Sequence, residues 1–257
     1  MRMRKTVSSI LTMAILAGGI LAAPQSSARE AGGLLSEIEV EVYAEAVSQY
    51  VWRGMVITDD PVVQPGLTLS LRGLSFDFWT NLDLTDVNSP GNHYRISEIA
   101  YTLSYGFEPA DGLDLEFGAI LYTFPESGDD PTTELYGSAE FDLPLSPTLT
   151  VYRDIDATDG WYVNLAIGRD FALSERLGLE LGAGVGWGDK ANNDGYFGVN
   201  RHALVDMSVS AGLTYVLAEA LEATVFVTYS DLIAGELRRA VGRPGNLFGG
   251  VGLSYSF

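Results

Sequence analysis

From about residue 38 onward, apolar side chains recur at every second position, in roughly a dozen stretches separated by turn-forming residues. Residues 245–257, GNLFGGVGLSYSF, show the period most clearly. Leu247, Val251, Leu253, Tyr255 and Phe257 fall on one side; Phe248, Gly250, Gly252, Ser254 and Ser256 fall on the other. Such a strand has one apolar face and one small or polar face. A soluble barrel would turn the apolar face inward. With a dozen strands its interior would be too wide for the Leu, Val and Ala present here to fill. The other face is also poor in Lys and rich in Gly and Ser. Segments of about ten residues with this pattern fit a closed sheet whose apolar side meets lipid. The expected fold is all-β: a single antiparallel up-and-down transmembrane β-barrel of about 12 strands.

Strands are expected at residues 38–52, 67–71, 74–84, 94–107, 113–123, 133–142, 148–156, 161–171, 177–187, 202–217, 221–229 and 245–257. Alternation is weakest in the seventh, where Tyr152-Arg153-Asp154 breaks it, and Val205 is expected to face outward with Met207 and Val209 in the tenth. Short connections alternate with longer, more polar ones, the habit of outer-membrane barrels. An even count places both termini on the short-turn, periplasmic side. Aromatics on the outward parity cluster at both ends of the strands. Trp52, Trp161, Trp187 and Tyr229 form a candidate girdle at the long-loop side, and Tyr105, Phe107, Phe141, Phe171, Tyr215, Tyr255 and Phe257 one at the short-turn side.

The first 28 residues read as an export signal. Arg2, Arg4 and Lys5 precede an apolar run over residues 10–21, and Ser26 and Ala28 are the small pair before a cut after Ala28. That run is too short to span a bilayer as a helix. The expected organisation is a signal peptide, 1–28, and one barrel domain, 29–257. Export and a lipid-facing barrel together predict the outer membrane of a Gram-negative bacterium, with membrane lipids and the barrel assembly machinery as partners. Leu253, Tyr255 and Phe257 are the candidate assembly signal in the last strand. The 34 acidic residues against 15 basic ones argue against nucleic acid, whose backbone is bound by Lys and Arg.

No hydrolase, nucleotide or metalloprotease motif is present. His93 and His202 are the two histidines; Ser89 and Asp206 are nearby in sequence, without diagnostic spacing. Asp189, Asn192, Asn193, Asp194 and Gly195 suggest a calcium loop but lack the closing Glu, so a solvated loop is expected. No catalytic residue, cofactor or metal is therefore assigned. The collective signal is acidic. By parity, Glu39, Glu41, Glu45, Asp77, Asp83, Glu98, Asp114, Glu116, Glu134, Glu140, Glu180, Asp206 and Glu222 face the lumen, with Arg53 and Arg72 the chief bases. A wet acidic channel attracts cations. The expected function is a porin-like barrel for passive diffusion of small cationic or neutral solutes. The alternatives are a structural or adhesive barrel with a side-chain-filled lumen, and an outer-membrane hydrolase working at the loop rim.

Ser48-Gln49-Tyr50-Val51-Trp52-Arg53-Gly54, followed by Thr58-Asp59-Asp60-Pro61-Val62-Val63-Gln64, resembles the opening motif of the TorF family, a group proposed to be porins. Residues 73–83, GLSFDFWTNLD, look like that family's next strand, and Glu98-Ile99-Ala100-Tyr101 and Glu134-Leu135-Tyr136-Gly137 resemble later segments. Pro65 after Gln64 departs from the pattern, as does the acidic loop over residues 125–131. The resemblance implies an outer-membrane barrel with a pore role and no particular substrate. From the residues alone, Arg53 ends the first strand, faces inward and is expected to clamp a lumen carboxylate such as Asp83, with a selectivity filter as the alternative role.

Overall fold

The computed structural model describes residues 37–257; the signal sequence expected over 1–28 lies outside them. In chain order the elements are β1 (Glu39–Val47), β2 (Tyr50–Trp52), β3 (Met55–Thr58), β4 (Val62–Leu71), β5 (Leu74–Asp83), β6 (Arg95–Ala110) and β7 (Leu113–Thr123). There follow β8 (Thr132–Phe141), β9 (Thr148–Asp154), β10 (Trp161–Ala172), β11 (Leu177–Gly188), α1 (Lys190–Phe197), β12 (Ala203–Ala218), β13 (Leu221–Leu232), α2 (Gly235–Ala240) and β14 (Gly245–Ser256). Twelve of the strands close an antiparallel barrel in which β1 pairs with both β4 and β14; β2 and β3 pair only with each other. No described helix is long and apolar enough to cross a membrane.

Burial follows the two-residue period around the ring. On β12 and β13, Met207, Val209, Leu213, Val225, Val227 and Tyr229 are exposed, while Ser208, Ser210, Thr214, Thr224 and Thr228 are buried. The barrel is therefore apolar outside and polar inside, the reverse of a water-soluble fold. The connection of β4 to β5 is the two-residue turn Arg72-Gly73, both at positive φ (52° and 86°), the handedness a right-twisted hairpin requires. The other short connections, after β6, β8, β10 and β12, lie on the same side as both barrel termini. Pro65 lies inside β4, which starts earlier than its apolar pattern indicates. Lacking an N–H, it leaves a gap in the ladder between Val63/Leu82 and Gly66/Trp79. The Gln64 amide donates to the Asn81 side chain across that gap at 2.9 Å.

Three expectations need correction. The first strand does not run to Trp52: β1 stops at Val47, and the chain leaves the wall to form the separate β2–β3 hairpin. The stretch after β11 is not a solvated loop. Asp189 caps α1 by accepting from the Asn192 N–H at 2.9 Å, Gly198 ends it in the left-handed region, and Asn192 and Asn193 are buried. Val205 does not face lipid. A bulge sets two β12 residues between the Val185–Met207 and Trp187–Leu204 pairs, and this turns Val205 inward among Leu232, Leu237 and Tyr162. The weak seventh strand, by contrast, alternates cleanly as β9: Thr150, Tyr152 and Asp154 are buried.

Candidate functional site: the lumen and its inward hairpin

At Ser48 the chain is still tied to β14, its N–H donating to the Gly249 carbonyl at 2.9 Å. It then turns into the lumen as β2–β3. The hairpin tip is Arg53-Gly54, with φ of 46° and 80°, the same dipeptide and handedness as the Arg72-Gly73 turn. A non-glycine residue in this region costs about 1–2 kcal/mol, which docking of the tip must offset. Gly54 permits the docking. A Cβ there would lie 2.6 Å from Leu232 Cδ2 and 2.9 Å from Asp206 Cβ, so the tip presses on β12 and β13. Tyr50 and Val51 pack with Val47, Val62, Phe226 and Phe248. Arg243, in the connection before β14, holds the base of the hairpin, donating to Gln49 at 2.6 Å and pairing with Asp59.

Arg53 crosses to the opposite wall. Its two terminal nitrogens donate to the two Glu134 oxygens at 2.8 and 2.9 Å. Its guanidinium carbon lies 4.1 Å from the Tyr162 ring centre, 4.3 Å from Trp52 and 4.7 Å from Tyr152. Tyr122 donates to Glu134 at 3.2 Å. Arg53 is the only buried Lys or Arg among the described residues, against buried Asp83, Glu98, Glu116, Glu134, Asp154, Glu180 and Asp206. Arg53 therefore pairs with Glu134 rather than with Asp83. Asp83 instead accepts from Thr58 at 2.8 Å and from Asn81 and Asn88 at 2.9 Å, fixing the strand that leaves the hairpin.

The lumen carboxylates are largely mated with tyrosines. Tyr43 donates to Asp77 at 3.1 Å, Tyr50 to Glu98 at 3.3 Å, Tyr136 to Glu116 at 2.5 Å and Tyr162 to Asp206 at 2.8 Å. The two-residue period places Tyr43 on the inward face with Glu39, Glu41 and Glu45, but sequence reasoning followed the acids and missed its pairing and the rings of Tyr122, Tyr136, Tyr152 and Tyr162, which share the carboxylates' parity. Glycines opposite give them room: a Cβ on Gly66 would lie 2.1 Å from the Tyr43 ring, and one on Gly118 would lie 2.5 Å from Tyr136. Glu39, Glu41, Glu45, Glu140 and Glu222 occupy the inward parity toward the short-turn mouth, partly open, and Asp114 is exposed at its rim. Thr214 donates to buried Glu180 at 3.1 Å.

Above these carboxylates the lumen is packed. Tyr122, Tyr136, Tyr152, Tyr162, Ile120, Val205, Leu232 and Leu237 of α2 form one cluster, joined by Phe197 of α1. The β10–β14 wall is different. The buried Asn164 Oδ1, Asn246 Nδ2 and the hydroxyls of Ser208, Ser210 and Thr228 have no protein hydrogen-bond partner. Buried polar atoms of this kind need water. Between this wall and the hairpin tip, lined by Arg53, Gly54, Asp206, Ser208, Thr228 and Phe248, is a cavity of about 10 Å³, room for about one water.

Two other assignments change. Trp52 is not in the lipid girdle: it lies edge-on to Tyr196 of α1 at 5.0 Å, because the segment carrying it folds inward. Arg72 is not a lumen base: it sits on an exposed turn and pairs with Glu37 at 2.5 Å. Trp161 and Tyr229 are exposed at the long-loop end, and Trp187 stacks on His202 there at 5.7 Å. His93 lies on a different loop, beside Tyr94. Leu253, Tyr255 and Phe257 are exposed, with Tyr255 and Phe257 edge-to-face at 4.7 Å. Among the described residues no group of His, Asp and Glu could hold a metal ion.

A closed twelve-stranded antiparallel barrel with an apolar outer band and a charged interior defines a porin-like β-barrel. The chain belongs to the family described as "Bacterial protein of unknown function (Gcw_chp)", whose model matches residues 32–236. No curated protein matches it. Among solved structures it is similar to "KdgM porin in complex with disordered oligogalacturonate", with a TM-score of 0.51 and 12% identity over 85% of this chain and 99% of that one. It is also similar to a NanC porin, with a TM-score of 0.52 and 11% identity over 85% and 98% of the two chains. At that identity the likeness is one of fold.

Proposed function

We propose that this protein is an outer-membrane channel for passive diffusion of small cationic or neutral solutes, and that the β2–β3 hairpin closes it in the present conformation. The observation that carries the reading is the charge of the interior, with seven buried carboxylates against one buried guanidinium among the described residues. Partly open carboxylates at the short-turn mouth extend the same field, which favours cations. The resemblance of the opening segment to the TorF group belongs with this proposal, as do export by residues 1–28 and residence in the outer membrane. Catalysis is not part of it. His202 stacks on an outward tryptophan and His93 lies on a separate loop beside Tyr94, so the two histidines do not share a site.

The aromatic cluster favours a second reading, a structural barrel with a filled lumen. Planar-bilayer recordings separate the two. Wild-type protein and a variant lacking residues 49–58 are each measured in a KCl gradient. The channel reading expects a larger conductance in the variant and a reversal potential of cation-selective sign. Anion selectivity would overturn the solute class. A folded variant with no conductance would leave the filled barrel.

A further inference from the structure

Glu134, Tyr122, Tyr152 and Tyr162 stand on four consecutive wall strands, β7 to β10, whose positions are set by the barrel ladder and not by the hairpin. Together they form a cage with a carboxylate at its floor, the Tyr122 hydroxyl donating to it, and the Tyr152 and Tyr162 rings at its sides. Glu134 and Tyr152 are each 1% exposed, and the Tyr152 hydroxyl has no hydrogen-bond partner. A guanidinium fills this cage with both fork nitrogens on the carboxylate and its central carbon 4.1 and 4.7 Å from the Tyr162 and Tyr152 ring centres. That is the geometry a planar cation selects and a point-like ammonium cannot reproduce.

The guanidinium belongs to a hairpin held by its docking and not by its own pairing. Its own ladder has three bridge pairs, and short isolated hairpins are marginal in water. Its arginine sits in the left-handed region. Arg53 is thus a ligand tethered to a preformed receptor. We propose that the Glu134–Tyr122–Tyr152–Tyr162 cage is a binding site for alkylguanidinium solutes, which compete with Arg53. Occupation by the solute frees the hairpin tip. The binding step stands on the cage alone; the opening that follows rests on the channel reading above.

The test uses full-length protein refolded in detergent. Arg53→Ala empties the cage and leaves it short of the atoms that N-ethylguanidinium supplies. Calorimetric titration should give saturable binding of N-ethylguanidinium to Arg53→Ala, at least about 10-fold weaker binding of ethylammonium, and about 10-fold or greater loss in Arg53→Ala/Glu134→Gln. Wild type, with its cage filled, should bind about 10-fold or more weakly than Arg53→Ala. Equal affinity for the two cations, or unchanged affinity without Glu134, overturns the site. If Arg53→Ala does not refold, the wild type carries the test: N-ethylguanidinium must speed hydrogen exchange of the β2–β3 amides, and ethylammonium must not. Unchanged exchange overturns the proposal. Conductance measured in parallel separates the two readings. Binding without conductance in Arg53→Ala keeps the site and rejects the channel; conductance without binding does the reverse.

Discussion

Removing the Glu134 carboxylate tests whether the hairpin is held mainly by its ion pair. In Glu134→Ala, docked Arg53 would be a buried, unpaired cation. Arg53 is 8% exposed and Glu134 1% exposed, so neither end of the pair has solvent to fall back on. Breaking a buried pair at one partner costs about 3–5 kcal/mol. The hairpin's remaining buried apolar side chains are Tyr50 and Val51, worth about 1.5–3 kcal/mol each on burial, and Arg243 and Asp83 still hold its base through Gln49, Asp59 and Thr58. Undocking also relieves the Arg53 backbone, about 1–2 kcal/mol. At the tip these quantities nearly cancel, while the base contacts of Gln49, Asp59 and Thr58 are untouched, so the variant should shift from a docked tip to a mixture of docked and free tip while the barrel ladder stays whole. Every factor of ten in that ratio is about 1.4 kcal/mol. Hydrogen exchange of the β2–β3 amides should therefore rise by at least about a hundredfold, with amides of β12 and β13 unchanged. Adding Arg53→Ala to Glu134→Ala should restore part of the protection, because no charge is then left buried. A Glu134→Ala protein with wild-type exchange in the hairpin would refute the reasoning, as would a loss of protection spread evenly over the barrel.

Other substitutions probe the tip, the outer face and the lumen rings separately. Gly54→Val adds a Cβ against Leu232 and Asp206 at positive φ, so it should undock the tip without changing any charge. Bilayer conductance should rise, and wild-type conductance would show that the tip does not close the lumen. Val209→Arg puts a cation on the lipid face of β12 and should cost about 2–4 kcal/mol in urea unfolding from phospholipid vesicles; an unchanged midpoint would mean that Val209 does not meet lipid. Gly66→Val collides with the Tyr43 ring and should cost about 1–3 kcal/mol. Tyr43→Ala should recover part of that loss, and strictly additive effects would show that ring and glycine do not pack together.

The barrel was legible in the sequence because a membrane barrel is a single layer. Each wall residue has one of two surroundings, lipid or lumen, and the two-residue period sorts them directly. Met207, Val209, Leu213 and Tyr215 obey this along β12. Val205 does not, because a bulge shifts the face by one position and leaves no mark in composition. The inward hairpin failed for a related reason. Tyr50, Val51 and Trp52 continue the β-prone run of β1, and nothing in three residues distinguishes a strand in the wall from one inside it. The residues that do distinguish them are Arg53-Gly54. The same dipeptide at 72–73 joins two wall strands, and there apolar alternation flanks it on both sides.

The acidic lumen was legible residue by residue, but not the partners of the acids. Arg53 and Glu134 are 81 positions apart, and Tyr162 and Asp206 are 44 apart. Such pairs are set by which strands face one another across a closed ring, and parity carries no information about that. Parity alone would leave Glu134 in a wet channel beside Glu98 and Asp206. Closure of the barrel instead gathers Tyr122, Tyr152 and Tyr162 around it, and the hairpin delivers the one buried guanidinium among the described residues. The site is thus a product of topology acting on residues whose inward facing the sequence already specified. Its chemistry follows from that convergence: a carboxylate that would be costly to bury alone accepts from the Tyr122 hydroxyl and, between the Tyr152 and Tyr162 rings, holds a planar cation.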